Sequence, residues 1–276
     1  MARKPAFISH SPEREAAIQS RMLNALEARF RRRIAAVLTD EAQGLLSAYR
    51  NLGYVPTPTD DHVRDIREVY REIAIASART FGRRILTQGK AAGFAIETKQ
   101  TSDLAEFFRA LANTWIMLEP IRRRIQSVSE TTRAQIVAMV AKGQQEGLGV
   151  QAIAKQIADR VPEINRWRGA LIARTETHGA ANFAMHETAK TTGLSLEKEW
   201  VSVEDIRTRS IMREDAFDHV SMNGQRVGMD EPFLMPWVAG PSIAIMYPGQ
   251  AGLPGGATIN CRCAVVHHVK GGLLGD

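Results

Sequence analysis

The chain changes character at "AKTTGLSLEKEWVSV", residues 189–203. The left part closes a long stretch of helical texture, and Gly193 is its stop signal. The right part, "LEKEWVSV" (196–203), alternates and carries Trp and Val, the pattern of a half-buried strand. This junction decides the fold class: mainly α, with a long-helix N-terminal region followed by a small α+β C-terminal module of short antiparallel strands.

Backward from the junction, the spacing predicts a helix over about 163–191. A shorter amphipathic helix, "VQAIAKQIADRV", precedes it and is stopped by Pro162. A helix from near Ser129 ends in the glycines of "EGLG". Another spans about 103–127, capped by Ser102 and kinked or broken at Pro120, and a further one runs over about 61–97. The first helix covers about 12–52, with Ser11 as N-cap, Pro12 in the first turn, and Ile18, Met22, Leu26, Phe30 and Ile34 on one face. Forward from the junction, Asn223-Gly224 is a hairpin signal, and "TINCRCAVVHHV" (258–269) reads as the closing strand. These segments divide the chain into 1–128, a long-helix region; 129–195, a helical lead-in; and 196–276, the small module.

No apolar run approaches the roughly 18 residues of a membrane span, and no apolar core follows the basic start, so neither a span nor a secretory signal is expected. Two cysteines make no disulfide framework, which makes a reducing compartment the expectation. Charge is divided unevenly. Residues 1–190 carry a balance of +9, and residues 191–276 carry −3. A basic helical part attracts phosphate polyanions or acidic protein faces. Arg29, Arg32 and Arg33 share a helix face, as do Arg79 and Arg83, and Arg122, Arg123 and Arg124 follow one another. All eight are candidates for contact with the backbone of double-stranded DNA, without sequence specificity. Ion pairing between helices or simple solvation is the alternative. Neither a zinc-finger nor an RNP signature is present.

Unusual polar residues gather after 173: "ARTETHGAAN" (173–182), "WVSVEDIRTRS" (200–210), "HVSMNGQ" (219–225), "DEPF" (230–233), "YPG" (247–249) and "INCRC" (259–263). Asp205, His219, Cys261 and Cys263 have zinc-compatible chemistry and form one candidate metal set, with a structural zinc as the implied ion. A single strand would hold Cα atoms two residues apart at about 6.5–7 Å, so both sulfurs reach one ion only across a bend. The competing reading packs both cysteines inside a strand and leaves the charges as a structural network. Arg174, Glu176, Asp205, Arg207, Arg209 and Arg262 are its members, with Asp230 and Glu231 as further acids. Redox pairing is disfavoured because Cys-x-Cys is not Cys-x-x-Cys, and His267 and His268 are bystanders. No Gly-x-Ser-x-Gly, His-Glu-x-x-His or P-loop marks a hydrolase or nucleotide site, so no catalytic residue is assigned.

In this order, the pieces resemble the phage Mu protein F-like family, also called the phage head morphogenesis or minor capsid family. The matching residues are Ala173–Glu176, Trp200, Asp205–Arg209, His219 with Asn223–Gln225, Glu231–Phe233, Tyr247–Gly249 and Asn260–Cys263, and the resemblance covers about 130–268. One departure is the nine residues "SIMREDAFD" between Arg209 and His219, where the family pattern has only a few. The resemblance implies a non-enzymatic minor head protein of a tailed phage or phage-like particle. Such a protein is enclosed in the virion, is assembled in the host bacterial cytoplasm and is present in several copies. It associates with the portal and with major capsid or scaffolding protein, touches double-stranded DNA, and assists DNA packaging or ejection. Two rivals stand beside it: a metal-dependent nuclease or toxin-like hydrolase built on His219, Asp205 and the cysteines, and a helical DNA-binding protein unrelated to capsids.

Overall fold

A computed structural model describes residues 7–8, 10–91 and 104–270. The chain divides into two compact units, each assembled from separate stretches. The first unit takes Met1–Leu26, Ile73–Trp115 and Thr175–Asp276, and the second takes Glu27–Glu72 and Ile116–Arg174.

The helices are α1 (Pro12–Leu52), α2 (Asp60–Ser77), α3 (Arg83–Ala91), α4 (Leu104–Met117), α5 (Glu119–Gln145) and α6 (Val150–Thr191). Helix α1 begins where the sequence indicates, with the Ser11 hydroxyl accepting from the backbone N–H of Arg14 at 3.3 Å. Three expectations need correction. Between α2 and α3 the helix runs through a π-helical turn at Ala78–Gly82, while residues 92–97 and the expected cap Ser102 lie outside the described residues. The helix breaks at Leu118, beside the Pro120 expected to kink or break it, but α5 then runs on without the separate start expected near Ser129; Pro120 occupies its first turn, where its missing N–H leaves no bond unmade. Finally, Pro162 does not end a helix: α6 is one element of 42 residues with the proline inside it. An internal proline costs a helix about 3 kcal/mol. Here the buried face continues across it, through Ile153, Ile157 and Val161 to Asn165 and Arg168. Packing on both sides of the proline outweighs the local break.

In the second unit, the core joins Ala42, Leu45, Leu46 and Tyr49 of α1 to Ile136 and Val140 of α5 and to Ile153, Ile157 and Val161 of α6. Arg168 is buried with them and donates to Thr132 Oγ1 and to the Val128 carbonyl, both at 3.0 Å.

In the first unit, β1 (Leu196–Val201), β2 (Arg226–Gly228) and β5 (Ala264–Val269) form an antiparallel sheet in the order β2-β1-β5. β3 (Phe233–Trp237) and β4 (Gly240–Ile245) make a separate antiparallel pair. Gly193 at φ 68° ends α6 and releases the chain into β1, as read from the sequence. The core gathers Phe81, Ile85, Met185, Trp200, Met222, Phe233, Met235, Ile245, Cys261, Cys263 and Val265. Asn223-Gly224 forms a turn, with Gly224 at φ 76° donating to the Trp200 carbonyl at 2.8 Å. That turn is not a two-residue hairpin. It closes a 24-residue connection from β1 to β2. The strand expected over 258–269 starts only at Ala264, after a short helical turn α7 (Gly255–Thr258) and a left-handed Asn260 at φ 58°.

A buried cysteine and histidine cluster with an arginine clasp

Because β5 begins at Ala264, Cys261 and Cys263 lie in the irregular lead-in rather than in a strand. The bend that two sulfurs need in order to converge is therefore built in. Cys261 Sγ lies 3.6 Å and Cys263 Sγ 3.7 Å from Nδ1 of His219. All three donor atoms are within 4.8 Å of one another, and all three residues are buried at 2–3% exposure. Nε2 of His219 sits 3.2 Å from the carbonyl of Gly256, which holds the ring proton on Nε2 and turns the Nδ1 lone pair towards the sulfurs.

The insertion before His219 closes on itself. The backbone N–H groups of His219 and Val220 both donate to the Arg209 carbonyl, at 2.9 and 3.2 Å. Ser210 to Asp218 therefore leave and return at one point, with a 3-10 turn at Ile211–Arg213 inside the excursion. The backbone of His219 is placed beside that of Arg209 despite the long spacing in sequence. Ser202 fixes it from the other side, donating its hydroxyl to the His219 carbonyl and lying 3.9 Å from Cys263 Sγ.

Three gripping residues went unread in the sequence. Thr175 Oγ1 accepts from the Asn260 N–H at 3.1 Å, His178 Nε2 donates to the Cys263 carbonyl at 2.7 Å, and Ser202 acts as described. Thr175 and His178 are three apart on α6 and so share a face, which was the available signal. Next to them, α6 meets the "YPG" turn at van der Waals contact. A Cβ on Gly179 would lie 2.9 Å from the Gly249 carbonyl, and one on Gly249, at φ 77°, would lie 2.6 Å from His178 Nδ1.

Asp205 does not join the cysteines. Its carboxylate accepts from Arg262 at 2.7 and 2.8 Å and from Arg207 at 3.2 Å, outside the group that converges on His219. Arg262, between the two cysteines, points the opposite way from their sulfurs and pulls Asp205 to itself. Arg209 donates to the Ile259 carbonyl at 2.9 Å, so the clasp joins residues 205–209 to 259–262. The remaining members of the expected network are elsewhere. Arg174 holds Glu27 with a contact of 2.8 Å in the second unit, and Glu176 is buried on α6. Asp230 pairs with Lys190 at 3.3 Å, and Glu231 accepts from the Gly228 N–H at 3.0 Å. His267 is fully enclosed, with burial pushing it down to about 3, and His268 Nε2 lies 2.7 Å from Glu199.

Within the cluster, the hydrogen bond from Cys261 and then the contact with His219 hold the Cys263 thiol well below its ordinary value. Cys261 moves up because it keeps the shared proton. Slight burial raises the Asp205 carboxyl, but the hydrogen bonds from Arg262 and Arg207 outweigh it and hold the group at about 2. Burial likewise raises Glu199, and its bonds to His268 and Arg226 reverse the sign. Both carboxyls thus bind protons less readily folded than unfolded. The stability they contribute is complete above the unfolded value of about 4 and is lost as pH falls towards the folded values. Thermal melts between pH 6 and 2.5 are expected to show a falling midpoint below about pH 4, with a shallower fall in Asp205→Asn. Identical pH profiles for that variant and the wild type would contradict the assignment.

Of the arginines proposed for DNA, Arg29, Arg32, Arg33, Arg79, Arg83, Arg122 and Arg123 are exposed, and Arg124 is half-buried. Arg33 lies 3.7 Å from Glu72, Arg123 pairs with Glu119, and Arg29 covers the Phe30 ring at 5.0 Å. Arg122 and Arg123 line a shallow surface depression with Arg67 and Gln126. Among the described residues, no helix is long and apolar enough to cross a membrane.

Residues 134–266 match the family described as Phage Mu protein F like protein, a stretch that holds α6, β1 to β4 and the whole cluster. The chain is also similar to a Bacillus subtilis (strain 168) protein titled "Uncharacterized protein YqbB", at 24% identity over 170 residues, 61% of this chain and 53% of that protein. The match thus spans about half the length of that relative. No solved structure matches.

Proposed function

We propose that the protein is a non-enzymatic minor head protein of a tailed phage or phage-like particle. Its module docks on the portal or inner shell, and its helices touch DNA during packaging or ejection. The match of residues 134–266 to the phage Mu F-like family carries this reading, because that family points to head morphogenesis. The surface supports docking. Ile206 and Met212 are each 90% exposed. The loop that bears them is tied down by Asp205 with Arg262, and by Arg213 donating to the Asp205 and Thr208 carbonyls at 3.0 and 3.1 Å. Exposed apolar side chains on a fixed loop suit a protein partner, since little conformational freedom is lost on binding. Portal protein and major capsid or scaffolding protein are the proposed partners, with several copies of this chain inside each virion, assembled in the host bacterial cytoplasm.

Co-purification with portal protein from both empty and DNA-filled particles is the deciding experiment, and Ile206→Asp with Met212→Asp is expected to reduce it at least tenfold. Retention of the double variant in particles at wild-type level would overturn docking through this loop. Duplex binding is expected to weaken steeply with salt, and alanine at Arg29, Arg32 and Arg33 should lower the slope of log affinity against log salt by about 2–3. A slope unchanged by those substitutions would remove the arginines from the DNA role. The hydrolase reading draws on the same cysteines and histidine, and their exposure of only 2–3% favours a structural role over it. Nuclease activity that disappears in a folded His219→Ala protein would restore it.

A further inference from the structure

The geometry points to a zinc site of revised composition: one ion held by the thiolates of Cys261 and Cys263 and by Nδ1 of His219, without Asp205. The inference stands apart from the head role, since zinc content and portal co-purification are separate measurements.

Distances support it first. A tetrahedral zinc ion with Zn–S of about 2.3 Å and Zn–N of about 2.05 Å separates adjacent sulfur and nitrogen ligands by about 3.6 Å. The two sulfur to Nδ1 distances are 3.6 and 3.7 Å. Orientation supports it second. The Gly256 carbonyl takes the Nε2 proton, and an outer-shell acceptor of this kind commonly fixes a metal-bound imidazole. The cysteine lead-in is held in the same way by His178 at the Cys263 carbonyl and Thr175 at the Asn260 N–H. Charge supports it third. On loading, both thiols release their protons to solvent, and two thiolates with a neutral imidazole balance a divalent cation. A neutral assembly is what a pocket at 2–3% exposure tolerates. A carboxylate would have left an uncompensated negative charge there, and Asp205 is committed to Arg262. The remaining coordination position suits a small oxygen donor, and Ser202 Oγ, 3.9 Å from Cys263 Sγ, already stands at the edge of the cluster.

Such an ion would cross-link the long connection between β1 and β2 to the lead-in of β5. Those two segments carry the arginine clasp and the exposed Ile206 and Met212. Zinc and the clasp would then hold the same loop from its inner and outer sides.

The test uses the full chain purified without chelator. About one zinc per chain is expected by elemental analysis. His219→Ala and Cys263→Ser should fall close to zero, while Asp205→Asn should retain the metal. Because the depleted variants can also unfold, a second measurement uses the wild-type protein. Exchange into cobalt(II) should give thiolate-to-cobalt charge-transfer absorption and the intense visible bands of four-coordinate cobalt. Folded wild-type protein that holds no zinc and gives no charge-transfer band would reduce the cluster to hydrogen-bonded thiols and overturn the site. Loss of zinc from folded Asp205→Asn would overturn the ligand set.

Discussion

Trp200→Ala is expected to lower the stability of the first unit by about 3–5 kcal/mol, the range for emptying a fully enclosed large aromatic site. Trp200 has no exposed surface. Its ring meets Phe233 edge-on at 5.5 Å and the ring of His219 at 6.2 Å. Its backbone is held on both sides, donating to the Gln225 carbonyl and accepting from the Gly224 N–H. Removing the indole therefore opens a cavity between the sheet, the β3–β4 pair and the cysteine cluster. The buried indole N–H has no hydrogen-bond partner, so Trp200→Phe gives up apolar volume but also removes an unpaired donor. It should cost well under half of the alanine value. Denaturant titration is the measurement, and a shifted midpoint with unchanged slope is the expected form. A loss below about 1 kcal/mol in the alanine variant would mean that the ring is not packed as described.

The second large effect lies at the amino end of α1. Glu15 is buried at 1% exposure and accepts from Arg84 Nε at 2.6 Å, from Arg84 Nη2 at 2.5 Å and from His10 at 2.8 Å. Burial raises its carboxyl, but the Arg84 and His10 contacts overcome that and leave it below the ordinary range. Breaking a buried pair by removing one partner costs about 3–5 kcal/mol, because the other charge is left uncompensated. The Arg84 side chain retains 21% exposure, so water relieves part of that penalty. Glu15→Ala is accordingly expected near the lower bound, about 3 kcal/mol. Glu15→Ala with Arg84→Met should recover about 1–2 kcal/mol of the loss. Strict additivity in that double-mutant cycle would show that the two side chains do not interact.

The ends of α1, the stop at Gly193 and the strand at 196–201 were legible because each rests on a local signal. A serine cap, a left-handed glycine and a period of two act within a few residues. Pro162 was misread because its local penalty is real and only the packing around Ile157, Val161 and Arg168 overrides it, which no window of sequence contains. Among the site residues, His219, Cys261 and Cys263 were legible from their donor chemistry alone. Asp205 was not, since a carboxylate serves a metal or an arginine equally well, and its choice depends on where Arg262 points. Thr175, His178 and Ser202 act on backbone groups, and a hydrogen bond to a backbone carbonyl or N–H leaves no trace in the identity of its partner. The nine-residue insertion before His219 looked like a displacement of the histidine. The paired bonds to the Arg209 carbonyl make it a detour that changes the path and not the destination.

The hydrogen bond from Gln19 to the carbonyl of Val265, 3.0 Å long, spans 246 residues of sequence. β1 likewise finds its partner β5 only after every residue between them has been made. Closing such long loops is the slow step of folding, and the chain leaves the ribosome from its amino end. The helices can therefore form early, while the first unit waits for Val265. A chain that stops short of β5 lacks both the sheet edge and the cysteines, and it exposes the apolar face of β1. Completed synthesis is thereby the condition for closing the first unit, and truncated chains are left open to proteolysis.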